Sequence, residues 1–92
     1  MNKLSYISAI KDILENREFQ EFEFKPNTKV NLKLFGEVTE TILTNIYLNQ
    51  DIVYLRSYPL DSNIYDGYDY DELSHFSLKE CQEIYNIFIK QL

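Results

Sequence analysis

The sequence is poor in the residues that form disulfides, catalytic dyads and phosphate-binding loops. Its 92 residues include one cysteine, one histidine and two glycines. A single cysteine, Cys81, cannot form an internal disulfide, which favours a reducing, cytoplasmic location. Gly36 and Gly67 are the only glycines, so there is no glycine-rich phosphate loop, and no Ser-His-Asp or Cys-His arrangement is recognisable around His75. We therefore expect neither an enzymatic activity nor a cofactor.

Long apolar runs and concentrated positive charge are also missing. The chain has no stretch of 18 or more apolar residues, so it predicts no transmembrane helix and no membrane association. Charged residues interrupt the apolar part of residues 1–18, which argues against a signal peptide. The chain has nine Lys and Arg residues and fifteen Asp and Glu residues, which gives a net charge of −6. Direct nucleic-acid binding is disfavoured because it needs clustered basic side chains to neutralise phosphates.

The chain does have the composition of a globular protein. A hydrophobic fraction of 45%, with 15% aromatic residues, argues against global disorder. Its length suits a single compact domain that spans residues 1–92. The abundance of Asn, Ile, Lys and Tyr beside a single alanine often accompanies AT-rich coding, which hints at a bacterial or phage source.

Two segments carry the apolar spacing of amphipathic helices. The first is residues 3–16, and the second begins after Ser77, where the sequence Ser-Leu-Lys-Glu is a capping box with Phe76 and Cys81 as its hydrophobic staple. The predicted buried stripe of the first helix is Tyr6, Ile7, Ile10, Ile13 and Leu14. The predicted buried stripe of the second is Leu78, Cys81, Ile84, Tyr85, Phe88 and Leu92.

Alternating and β-branched runs predict the strands. Residues 28–35 alternate apolar and polar side chains, and a short strand around Phe22 and Phe24 precedes a break at residues 25–27, which include Pro26. Residues 37–58 predict a β-hairpin. Its predicted three-residue loop, 49–51, sets Leu48 opposite Ile52, Ile46 opposite Tyr54, and Ile42 opposite Tyr58 on one side of the sheet, with Leu43, Tyr47, Val53 and Leu55 on the other. Since both sides carry apolar residues, we expect a second layer or a partner to cover the second side.

These elements predict an α+β fold. Its order is an N-terminal helix, a three- to four-stranded antiparallel meander, an acidic tyrosine-rich loop and a C-terminal helix packed on the sheet. Gly36 is expected to supply the turn before the hairpin, and Tyr68 with Tyr70 to form a short edge strand.

Nearly all of the net charge lies in residues 59–75. This segment has five acidic side chains and no Lys or Arg, so it carries −5 of the net −6. Aromatic side chains are enriched at interface hot spots, and localised charge steers a partner of opposite charge. The segment is also consistent with a solvated loop that keeps the protein soluble. The predicted partner-binding residues are Tyr65, Asp66, Tyr68, Asp69, Tyr70, Asp71 and Glu72.

The remaining reactive residues are expected to have structural roles and not catalytic ones. We expect His75 to be solvent-exposed or locally hydrogen-bonded, and Cys81 to be a buried structural thiol. The acidic residues do not form an EF-hand, because counting from Gly67 puts Ser62 at the first and Leu73 at the last loop position. An irregular, weak cation site among these acids is left open, and no metal ligand is assigned.

The expected function is that of a small, soluble, non-enzymatic protein-interaction module. Its partner would be a protein with a basic surface, bound through residues 59–75. One alternative is an inhibitor of phage or mobile-element type that mimics nucleic acid in the basic channel of a nucleic-acid-binding enzyme. Another is a self-associating structural domain that forms a homo-oligomer.

Overall fold

The computed structural model describes residues 2–18, 20–34, 36–60 and 69–92, which form two α-helices and five β-strands. All strand pairs are antiparallel, so the α+β prediction is confirmed, with five strands where three or four were predicted. The elements in chain order are α1 (Lys3–Asn16), β1 (Glu21–Glu23), β2 (Lys29–Leu34), β3 (Glu37–Asn49), β4 (Ile52–Pro59), β5 (Asp69–Glu72), a 3₁₀ turn (Leu73–His75) and α2 (Leu78–Gln91).

Strand β3 organises the sheet because it pairs with neighbours on both of its sides. β1 and β2 lie one after the other along one side, β4 lies along the other, and β5 continues beyond β4. With 13 residues, β3 is long enough to pair with both short strands. Gly36 joins β2 to β3 with a φ of 85°, a left-handed conformation that glycine adopts at little cost, as the sequence predicted.

β1 and β2 pair with the same side of β3 and are separated only by a short loop. The backbone N–H of Phe24 donates to the Thr44 carbonyl across 2.9 Å, and that of Leu43 donates to the Thr28 carbonyl across 2.8 Å. Residues 25–27 loop out between these two bonds, since Pro26 has no N–H to offer a partner. Strand pairing with β3 therefore resumes on the far side of the loop.

The β3–β4 turn differs from the prediction by one residue. Gln50 and Asp51 alone form the loop, with φ angles of 52° and 65°, and two positive φ angles in succession are characteristic of a type I′ hairpin turn. Asn49 therefore pairs with Ile52 instead of lying in the loop. The tight turn matches the right-handed twist of the strands, which favours it over the predicted three-residue loop.

This shorter turn changes which side chains share a face. Tyr47 pairs with Tyr54 and Ile46 with Leu55, so the predicted pairing of Ile46 with Tyr54 is wrong. The same holds for Leu48, which pairs with Val53 instead of Ile52. A one-residue shift in register moves side chains to the opposite face. A bulge at Thr44 then absorbs the extra residue, so the predicted pair of Ile42 and Tyr58 is confirmed.

The core lies between the two helices and one face of the sheet, here called the inner face. The helices contribute three buried side chains each, and the strands contribute alternate residues. Of the predicted α1 stripe, Tyr6, Ile10 and Leu14 are buried, whereas Ile7 and Ile13 are partly buried and pack against the core. The buried cluster is Tyr6, Ile10, Leu14, Phe24, Val30, Leu32, Leu43, Ile46, Val53, Leu55, Leu73, Phe76, Cys81, Ile84 and Phe88.

Helix α2 also seals the β1–β2 edge of the sheet. The predicted capping box is present, with the Ser77 hydroxyl accepting from the Glu80 N–H and the Glu80 carboxylate accepting from the Ser77 N–H. The same carboxylate accepts from the backbone N–H of Lys33 in β2 across 2.6 Å. At the other end of α2, Gln91 accepts from the backbone N–H of Lys25 across 2.8 Å. Two edge N–H groups are thus satisfied by one helix.

The two ends of the predicted α2 stripe are not buried. Leu78 is 47% exposed and Leu92 is 38% exposed, whereas Cys81, Ile84 and Phe88 are fully buried. Leu78 and Leu92 lie at the two ends of the helix. The helical period predicts which face of the helix is apolar, but it does not show whether the sheet extends far enough to cover the ends of that face. Within the described residues, neither helix has the length and apolar character needed to cross a membrane.

Candidate interaction surfaces

Strand β5 and the 3₁₀ turn after it form the acidic edge of the sheet, residues 69–75. β5 pairs with β4 from Ser57 opposite Asp69 to Tyr54 opposite Glu72. It is the last strand in the described order of the sheet. The acidic edge therefore lies at the side of the sheet opposite the edge that α2 covers.

The seven predicted partner-binding residues are only partly described. Tyr65, Asp66 and Tyr68 lie outside the described residues, and Asp69 and Tyr70 are described as backbone positions in β5. Asp71 and Glu72 have described side chains, which are 45% and 33% exposed. The edge-strand prediction is thus confirmed for Tyr70 and stays a prediction for Tyr68.

His75 is held locally by the acidic edge. Its Nδ1 donates to Oδ1 of Asp71 across 2.5 Å, its Nε2 lies 3.5 Å from Oε2 of Glu72, and the side chain is 59% exposed. This arrangement confirms the expected exposed, hydrogen-bonded histidine. In the part of the chain that the structure describes, no group of three His, Cys, Asp or Glu side chains is placed to hold a metal ion. The weak cation site considered for the acids of residues 59–75 includes Asp61 and Asp66, which lie outside the described residues.

Cys81 is a structural thiol at the first turns of α2. The side chain is fully buried, and its Sγ donates to the carbonyl of Leu73 across 3.4 Å. Burial raises the pKa of the Cys81 thiol above 9.0, although the nearby Lys3 charge opposes this shift. A buried thiol with a raised pKa is a poor nucleophile, as the sequence predicted.

The burial of Cys81 predicts protection from thiol reagents. Reaction of the native protein with an aromatic disulfide reagent at pH 8 should be at least about a hundredfold slower than reaction in denaturant. Absorbance of the released thiolate measures both rates. Similar rates in the two conditions would show that Cys81 is accessible in the native state.

The face of the sheet away from the helices, here called the outer face, carries an aromatic patch of Tyr47, Tyr54, Arg56 and Tyr58. The rings of Tyr47 and Tyr54 are stacked, with centroids 5.5 Å apart and planes inclined by 15°. The Arg56 guanidinium carbon lies 5.6 Å from the centroid of the Tyr47 ring. All four side chains are partly exposed. The predicted hairpin register put Tyr47 and Tyr54 on opposite faces. Predicting a two-residue turn at Gln50 and Asp51 would have placed them opposite each other on the same face.

A shallow recess adjoins the aromatic patch. Gln20, Glu21, Tyr47 and Arg56 line a volume of about 310 Å³. Asn45 is buried beside it and donates from Nδ2 to the Glu21 carboxylate across 2.7 Å, which holds β1 to β3 through side chains. The recess thus joins a carboxylate, a guanidinium and an aromatic ring on one face of the sheet.

The described residues therefore form two distinctive surfaces, the acidic edge and the outer face with its aromatic patch. The chain matches no protein-family model, no curated protein and no solved structure, so both surfaces are interpreted from their own residues.

Proposed function

We propose that this chain is a non-enzymatic protein-interaction module that binds a basic partner through residues 59–75. The observation that carries the proposal is the position of the acidic strand β5 at the edge of the sheet. An edge strand presents backbone N–H and C=O groups that an extended segment of another protein can pair with. The partner's backbone would add to β5, while its basic side chains would meet the carboxylates.

The contrast between the two edges of the sheet supports this choice of surface. At the β1–β2 edge, Glu80 and Gln91 of α2 accept hydrogen bonds from backbone N–H groups. At the acidic edge, no other described strand pairs with the outer side of β5. Acidic side chains on an edge repel a second acidic strand, so pairing is favoured only with a partner of opposite charge.

The tyrosines are expected to supply most of the affinity. Tyr70 lies in β5, and Tyr65 and Tyr68 precede it in the sequence. Tyrosine is enriched among the residues that dominate interface energetics, whereas exposed charge pairs contribute mainly to the association rate. The two residue types of the segment therefore have separate expected roles.

Replacing Tyr65, Tyr68 and Tyr70 together by alanine is expected to abolish partner capture. The partner is first isolated from host lysate at low salt and then titrated calorimetrically as a purified protein. Because each hot-spot residue contributes about 2 kcal/mol or more, the triple variant should bind at least about a hundredfold more weakly. Circular dichroism and thermal melting check that the fold is retained. Unchanged affinity in a folded variant would refute the proposed surface.

Charge neutralisation provides a matched control. Asp69→Asn, Asp71→Asn and Glu72→Gln together should slow association with the basic partner about tenfold at low salt. The same net change placed away from the acidic edge, as Asp12→Asn and Glu83→Gln on the helices and Glu18→Gln after α1, should change the rate by less than about twofold. Equal effects from the two sets would mean that only the net charge of the protein matters.

The nucleic-acid mimic is a second candidate, favoured by the concentration of −5 charges in seventeen residues. Such a mimic of phage or mobile-element type would occupy the phosphate-binding channel of its target. Added DNA or RNA should then compete with this chain for the captured partner, with strong dependence on salt. A captured partner that nucleic acid does not displace would remove this candidate and leave the adaptor interpretation.

A further inference from the structure

The outer face differs from the rest of the protein in its charge balance. On β1 to β4, the side chains that alternate with the buried ones place three acids and three bases on this face. They are Glu21, Glu23, Glu40, Lys29, Lys33 and Arg56. Glu72 of β5, which pairs with Tyr54, adds a fourth acid to this face. In a chain of net charge −6, a face with four acids and three bases is where two copies approach with little repulsion.

The charges on the β1–β2 side of this face are ordered along the sheet. Glu23 of β1 lies opposite Asn45 of β3, and Lys29 of β2 lies opposite Ile42 of β3. These two positions flank the bulge at Thr44, with the acid toward one end of β3 and the base toward the other. Both side chains are exposed.

A twofold axis in the plane of contact, perpendicular to the strands and passing over the bulge, would superpose these opposite charges. The rotation keeps the lateral order of the strands and reverses their direction, so Glu23 of one copy meets Lys29 of the second copy, and Lys29 meets Glu23. Self-complementary surfaces of this kind are what a twofold dimer requires. Packed sheets usually cross at about 30°. Such a rotation displaces the Glu23–Lys29 contacts only slightly, because they lie close to the axis.

The same axis also brings Arg56 of the aromatic patch to Tyr58 of the second copy. Arg56 of β4 lies opposite Asn45, and Tyr58 of β4 lies opposite Ile42, so the rotation sets Arg56 of one copy over Tyr58 of the second. A guanidinium over a tyrosine ring is attractive, as the contact of Arg56 with Tyr47 within one copy illustrates. Tyrosine and arginine are the residues enriched in protein interfaces.

We propose that two copies of this chain associate through their outer faces around this twofold axis. The charged pair Glu23–Lys29 and the pair Arg56–Tyr58 each occur twice in the dimer. Strand lengths and spacing give a contact of roughly 600 Å² per copy, near the lower limit of specific interfaces, so the dimer is reversible. The pairs that form the interface lie on β1, β2 and β4 and not on β5, so the proposal does not depend on the proposed function.

Charge reversal tests the axis directly. Wild-type protein is expected to show a concentration-dependent monomer–dimer equilibrium in sedimentation experiments up to about 1 mM. Glu23→Lys alone or Lys29→Glu alone should weaken it at least about tenfold, because each creates two like-charge contacts across the interface. Lys29→Glu also removes the pairing of Lys29 with Glu40 within each copy, 3.8 Å apart, so Glu23→Lys is the cleaner of the two. An equimolar mixture of the two single variants should form a heterodimer, with affinity restored to within about threefold of the wild type. The double variant Glu23→Lys/Lys29→Glu should again form a homodimer.

Two controls separate the interface from general charge effects. Asp12→Lys, at an exposed position of α1, makes the same charge change as Glu23→Lys and should leave the dimer unchanged or slightly strengthened. Arg56→Ala should weaken the dimer without involving Glu23 or Lys29. A wild-type protein that is monomeric at about 1 mM, or variants that fail to restore each other in the mixture, would overturn the proposal. Neither result would affect binding at the acidic edge.

Discussion

Replacing Phe88 by alanine is expected to lower the free energy of unfolding by about 3–5 kcal/mol. Phe88 is fully buried in α2, and its ring meets Phe22 of β1 edge-on, with centroids 5.0 Å apart. Phe22 in turn meets Phe24 edge-on at 5.5 Å. The substitution therefore leaves a cavity at the contact between α2 and the first strand, and removes an aromatic pair worth about 1 kcal/mol beyond burial.

Such a loss is large for a chain of this length. Domains of this size have total stabilities of about 5–10 kcal/mol, so the Phe88→Ala variant should be partly unfolded at 37 °C. Urea titration followed by circular dichroism measures the change. Ile89→Ala is the matched control, because Ile89 is the next residue of the same helix and is 39% exposed. It should cost less than about 1 kcal/mol. Similar losses in the two variants would contradict the assigned face of α2.

Replacing Glu80 by alanine is expected to cost about 1–2 kcal/mol, because one carboxylate serves both the helix and the sheet. Its oxygens accept from the N–H groups of Ser77, across 2.8 Å, and Lys33, across 2.6 Å. Glu80→Gln should recover part of this loss, since the amide oxygen can replace only one of the two acceptors. Glu83→Gln, one turn further along α2, is the control and should change stability by less than about 0.5 kcal/mol.

The Glu80 contribution should also depend on pH. Partial burial acts to raise the pKa of Glu80, but the hydrogen bonds from Ser77 and Lys33 and the nearby Lys33 charge outweigh it, so the pKa lies below 4.5. A carboxyl group whose pKa is lowered on folding stabilises the folded state above its unfolded pKa, and the stabilisation is lost as the pH falls through the folded value. The difference in urea midpoint between wild type and Glu80→Gln should therefore be full at pH 6–7 and shrink below pH 4.5. A constant difference across this range would contradict the role of the ionised carboxylate.

The helices were the most predictable part of the fold because their signals are local. Residues 3–16 were predicted from the spacing of apolar side chains alone, and α1 spans Lys3–Asn16. The capping box at Ser77 and Glu80 lies within four residues, so the start of α2 is also encoded locally. Alternation likewise predicted β2, in which Val30 and Leu32 are buried.

The hairpin was predictable in existence but not in register. β-branched and aromatic residues indicated both strands, yet the choice between a two- and a three-residue turn depends on the positive φ angles of Gln50 and Asp51. Neither is a glycine, so the sequence lacked the usual signal of a type I′ turn. The error of one residue hid the stacking of Tyr47 on Tyr54, and with it the aromatic patch on the outer face.

By itself, the sequence determined the α+β class, the limits of α1, the capped start of α2 and the concentration of negative charge before it. Tertiary structure alone decided that α2 seals the β1–β2 edge, since Glu80 meets Lys33 across 47 positions and Gln91 meets Lys25 across 66. It also decided which side chains share the outer face. The physical reason is range: helical periods and caps involve groups a few residues apart, whereas edge contacts and cross-strand registry arise only when distant segments pack together.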